Sequence, residues 1–111
     1  MNKLLIIHFL IGPVLLVIAW LTKIFPPKNI NAFYGYRTSR SMRSEEAWKE
    51  ANKYSTEVMI RLALSTILVQ VITYLLIEDE LAVLLPAGFL VLGLIVLVFL
   101  TERHLKMNGF K

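Results

Sequence analysis

The stretch LAVLLPAGFLVLGLIVLVFL, Leu81 to Leu100, has no ionisable side chain. A helix needs about 20 such residues to cross roughly 30 Å of hydrocarbon, so this run decides the class. Working outward, Leu4 to Leu21 is a second apolar run broken only by His8, and Val58 to Ile77 is a third that carries Arg61 and Gln70. In hydrocarbon every backbone N–H and C=O must be paired internally, and one short chain cannot close a β-barrel, so these runs are expected to be helices. Composition agrees, with 57% of the 111 residues hydrophobic and 18% charged. A soluble domain is nearer half apolar and a quarter charged. The same figures exclude a disordered chain, and the absence of cysteine excludes a disulfide framework, thiolate metal sites and cysteine nucleophiles. The expected fold is an all-α membrane protein forming one unit over residues 1–111. It has three transmembrane helices, at about 4–23, 58–77 and 81–102, with an ordered loop over 24–57.

Charge sets the orientation. Of the 12 basic residues, all but Lys3 fall between Lys23 and Arg61 or after the third span. The other side carries Lys3 and the acidic turn Glu78-Asp79-Glu80. Basic residues stay on the cytoplasmic side, so the N-terminus is expected outside and the loop and C-terminus inside a bacterial cell. A cleaved signal peptide is the weaker reading of the first run, because Ala19-Trp20-Leu21 is a poor cleavage site.

The loop differs from its surroundings. Phe25-Pro26-Pro27 cannot continue a helix, and the segment Asn31 to Met42 mixes glycine, aromatics, hydroxyls and arginine without helical periodicity. Gly35 suits a positive φ or a close backbone approach. Thr38, Ser39 and Ser41 can bond nearby backbone amides. Ser44 is a good N-cap, with Glu45 and Glu46 favouring the positive end of a helix dipole. From there Ala47, Trp48, Ala51, Tyr54, Ser55, Val58, Met59 and Leu62 recur at helical spacing, opposite Glu46, Lys49, Glu50, Lys53 and Glu57. This is an amphipathic helix that leads into the second span, either bending at the membrane surface or running straight through.

The loop also resembles a known family. Pro26-Pro27, Asn31, then Tyr34-Gly35-Tyr36-Arg37-Thr38, Ser41, and Trp48 with Asn52 on the following helix are similar to the signature of the SdpI family of bacterial membrane immunity proteins. The resemblance implies a non-enzymatic multipass protein that protects the cell from a membrane-active toxic peptide and takes part in sensing it. It further implies the toxic peptide and a cytoplasmic regulator as partners. The family's named member has extra spans beyond the three read here. Asn31, Tyr34, Gly35, Tyr36, Arg37, Thr38, Ser41, Trp48 and Asn52 are then the candidate binding residues.

Each has a plainer reading. Tyr34, Tyr36, Trp48 and Tyr54 suit the headgroup level as simple anchors. Arg37 can present its planar fork to a lipid phosphate, a phosphorylated carrier or an acid within the protein such as Glu45 or Glu46. Arg61 and Gln70 are intramembrane polar groups that should face protein, Gln70 bonding either within one bundle or to Thr66 or Thr73 of a second copy in a homo-oligomer. No metal or cofactor is expected: His8 and His104 fall at opposite faces, the acidic turn is a poor oxygen shell, and no enzyme motif occurs. The basic loop points to membrane lipids rather than nucleic acid. Two further functions stay open, a small transporter or lipid-handling protein and a tethered regulator.

Overall fold

The computed structural model describes residues 3–31, 33–77 and 81–110, with side chains from Leu10 onward. The acidic turn Glu78–Glu80 and the side chain of His8 lie outside the described residues. Among the described residues three helices form: α1 (Lys3–Ile24), α2 (Glu45–Leu76) and α3 (Leu81–Met107). Among the described residues there is no strand. Pro13 lies inside α1 and Pro86 inside α3, and neither ends its helix.

α2 starts where the N-cap predicted. Ser44 is extended and its hydroxyl accepts from the Ala47 N–H at 3.0 Å. The helix then runs unbroken for 32 residues, roughly 48 Å at 1.5 Å per residue. The straight alternative is therefore the one found, and the first three turns project beyond a hydrocarbon-length segment.

Antiparallel packing follows from two contacts on each side of α2. Lys23 pairs with Glu57 at 3.4 Å, while a Cβ on Gly12 would meet Gln70 Oε1 at 2.5 Å, so α1 descends along α2. His104 meets Glu50, and Thr73 donates to the Ala82 carbonyl at 3.3 Å, so α3 returns along its other side. α1 and α3 barely touch.

The packing is inverted relative to a soluble bundle. α2 buries Ala47, Ala51, Asn52, Ser55, Thr56, Ala63, Thr66, Gln70 and Thr73. Leu68, Leu75, Leu76, Leu92, Ile95 and Phe99 point outward and are more than half exposed. Small and polar residues between helices with large apolar ones outside is the distribution that lipid favours. In water so large an apolar surface would drive association. α2 and α3 are each long and apolar enough to cross a membrane, whereas the apolar part of α1 with described side chains, Leu10–Ile24, is shorter.

α3 runs five residues past the expected 102. Leu97, Thr101 and Leu105 are a buried stripe against α2, which holds the last turns helical although they are polar outside. The end is closed at Gly109, φ +87°: Phe110 N–H donates to Leu105 O at 2.9 Å and Gly109 N–H to Lys106 O at 3.1 Å. This is a Schellman cap, whose positive φ glycine adopts at least cost.

Candidate functional site

The end of α1, the first half of α2 and the last turns of α3 meet at one end of the bundle, and the loop folds over them. Most of the basic residues gather there as a consequence.

Three side chains shape the descent from α1. The Trp48 indole N–H, fully buried, donates to the Pro27 carbonyl at 2.6 Å. The Tyr34 hydroxyl donates to the Phe25 carbonyl. Asn31 makes an Asx turn, its Oδ1 accepting from the N–H groups of Phe33 (2.9 Å) and Tyr34 (2.6 Å). Each gives a loop backbone group a side-chain partner where no helix ladder supplies one.

Gly35 satisfies both reasons for a glycine there. Its φ is +105°, and a Cβ would stand 2.4 Å from Asn52 Oδ1 and 2.7 Å from Pro27 Cγ. That close approach lets Asn52, buried on α2, accept from the Tyr36 N–H at 2.6 Å while its own amide donates to the Trp48 carbonyl at 2.9 Å.

Thr38 and Ser41 close the next turn reciprocally. Thr38 N–H donates to Ser41 Oγ at 2.8 Å, and Ser41 N–H to Thr38 Oγ1 at 3.2 Å. The Ser41 hydroxyl, fully buried, lies 3.0 Å from Thr38 O and 3.2 Å from Tyr36 O.

The arginine that makes the ion pair is not the expected one. Arg37 is exposed and donates through Nε to the Asn31 carbonyl at 3.0 Å; among the described residues it forms no ion pair with Glu45, Glu46 or any other acid. Arg40 instead pairs with Glu102 of α3 at 2.5 Å, and Tyr36 donates to the same carboxylate at 3.0 Å. Arg40 Nε is buried with no hydrogen-bond partner among the described residues. Burial of the Tyr36 phenol, reinforced by its bond to Glu102 and that residue's charge, raises its pKa well above the usual tyrosine range. Beside this group Glu50 meets His104 at 2.7 Å, and Tyr54 stacks on the same imidazole with ring centroids 4.0 Å apart.

Eight of the nine loop candidates thus converge on one hydrogen-bonded cap, and Arg37 lies on its surface. Arg61 and Gln70 are elsewhere. Arg61 is exposed on α2, and Gln70 is buried inside the protomer against α1 at Gly12. The sequence does not mark Arg40 or Glu102, and it reads Glu50 only as part of a polar helix face and His104 only as a histidine too far from His8 to share a metal. The signal available was the Leu97, Thr101, Leu105 spacing, which extends α3 under the loop. Among the described residues no group of three or more His, Cys, Asp or Glu could hold a metal ion.

Comparison with known proteins covers this same region. The model of the SdpI/YfhL protein family matches residues 28–101, from the loop through the apolar part of α3. A Bacillus subtilis (strain 168) relative named "Uncharacterized protein YfhL" is 40% identical over 106 residues, covering 88% of this chain and 86% of the relative. No solved structure matches.

Proposed function

The chain belongs to the SdpI/YfhL protein family, and on that premise we propose that it is a non-enzymatic membrane immunity protein that shields a bacterial cell from a membrane-active toxic peptide and senses it. The observation that carries the reading is the family match over residues 28–101, which takes in the loop cap and both long apolar helices. In this reading all three helices cross the membrane, with the N-terminus outside and the cap and C-terminus in the cytoplasm. The exposed apolar faces of α2 and α3 then offer a peptide in the bilayer a docking surface, and the rigid cap reports its arrival to a cytoplasmic regulator.

Expression in a sensitive bacterium, followed by challenge with membrane-active peptides of related producers, tests the proposal. Protection should be lost with Asn52→Ala, which unlocks the cap, if membrane levels of the variant are held equal to the parent. No protection by the parent against any peptide would refute the immunity reading.

A further inference from the structure

A cleft of about 340 Å³ opens between the last turn of α1 and the first half of α2. Lys23, Lys28, Lys49 and Lys53 line it together with Glu57, above Thr56. Glu57 is taken up by Lys23 at 3.4 Å, and Lys28, Lys49 and Lys53 form no ion pair among the described residues. Three ammonium groups around one recess repel one another unless an anion is shared between them.

One turn further along both helices the lining changes sign of preference. Leu16, Val17, Trp20 and Leu21 of α1 face Ile60 and Leu64 of α2 across an apolar groove of about 430 Å³. The Lys23–Glu57 pair marks the border, and the Lys23 ammonium also lies 5.7 Å from the Trp20 ring centroid. From Glu57 to Leu64 the groove runs for roughly 10 Å at 1.5 Å per residue, the length of the upper part of an acyl chain. A cationic recess continued by an apolar trough of that length matches one molecule with an anionic head and a hydrocarbon tail.

We propose that the cleft and groove bind a single anionic phospholipid. Its phosphate is shared by Lys28, Lys49 and Lys53, and one acyl chain lies against Trp20, Leu16, Ile60 and Leu64. Lysine suits this role as a compact, mobile charge that needs no fixed fork geometry. The site rests on the chain being in a membrane and is independent of toxin protection.

The test uses the full chain in phosphatidylcholine vesicles that contain either phosphatidylglycerol or phosphatidylcholine with brominated acyl chains. Co-flotation with vesicles is checked first, so failure to insert is separated from failure to bind. Trp20 fluorescence is the reporter, assigned by its loss in Trp20→Phe. Brominated phosphatidylglycerol should reach half-quenching at a mole fraction at least about fivefold below that of brominated phosphatidylcholine, the effect of one lysine near an anionic surface. Lys49→Gln/Lys53→Gln should remove most of that preference. Arg103→Gln/Lys106→Gln removes equal charge from exposed positions off the cleft and should preserve it. Equal quenching by the two lipids, or equal loss in both double variants, would overturn the site. Relief of quenching by millimolar inorganic phosphate would assign the recess to a soluble anion and overturn the lipid.

Discussion

Replacing Gly35 by alanine should unlock the loop cap from α2, and its cost can be built from two contributions. A residue with a Cβ at φ +105° leaves the region that L-residues favour, at about 1–2 kcal/mol. The new Cβ would also stand 2.4 Å from Asn52 Oδ1 and 2.7 Å from Pro27 Cγ. The proline ring is held by the Trp48 bond to its carbonyl, so the amide must give way. Moving it strands the Tyr36 N–H, a loss of roughly 1–3 kcal/mol for a buried donor. Together Gly35→Ala should cost ~2–5 kcal/mol. The assay is denaturant unfolding in mild detergent, read by Trp48 fluorescence in a Trp20→Phe background. Gly88→Ala is the control: its Cβ would meet nothing within 4 Å, and on α3 the change should gain about 0.5–1 kcal/mol. Since Asn52→Ala removes the amide obstruction and the same bond, adding Gly35→Ala to it should cost less than Gly35→Ala does alone, leaving the backbone part of about 1–2 kcal/mol and the contact with Pro27 Cγ. A Gly35→Ala cost below ~0.5 kcal/mol, or full additivity of the pair, would refute the reasoning.

Arg40→Met should cost about 1–3 kcal/mol, less than the loss of a fully buried pair, because side-chain exposures of 24% and 23% let water reach Arg40 and Glu102. Glu102→Gln, which can still accept from Tyr36, should cost less, and thermal unfolding in detergent compares the two. Trp48→Phe should leave the Pro27 carbonyl unpaired and lower stability by roughly 1–3 kcal/mol, with faster proteolysis between Ile24 and Ser44. The raised Tyr36 pKa means that the folded cap holds the phenolic proton more tightly than the unfolded chain does. Its stability is complete below the unfolded value, about 10, and is lost as pH rises above that. Parent protein should therefore lose stability more steeply than Tyr36→Phe from pH ~10 upward, measured by unfolding midpoints. For topology, the chain has no cysteine, so a single introduced one is a unique label. An impermeant maleimide applied to intact cells should react with Asp79→Cys and spare Ser39→Cys and Asn108→Cys.

The split between what the sequence revealed and what it concealed follows contact range. Ser44 as N-cap and Gly35 as a tight approach are local properties, set by a few neighbouring residues, and both are found as read. Arg37 attracted attention because it sits inside a recognisable string, yet the ion pair belongs to Arg40, whose partner Glu102 is 62 residues away. No spacing rule reaches that far. The helix α3 outlasts the span read at about 81–102 for a related reason: hydropathy measures affinity for lipid, and it falls off where Thr101, Glu102 and Arg103 begin. The buried stripe through Leu105 depends instead on contact with protein. Inside the bundle the same inversion makes Thr66, Gln70 and Thr73 core residues although a soluble reading would place them outside. It also bears on where a ligand can act. Tyr34, Tyr36, Ser41, Trp48 and Asn52 spend their polar groups on bonds within the cap. A ligand that drew on those groups would have to break the cap first. Lys28, Lys49 and Lys53 beside it form no ion pair among the described residues, so in the proposed lipid site the anion falls to side chains outside the motif, while the motif residues hold the end of α1 and the start of α2 together.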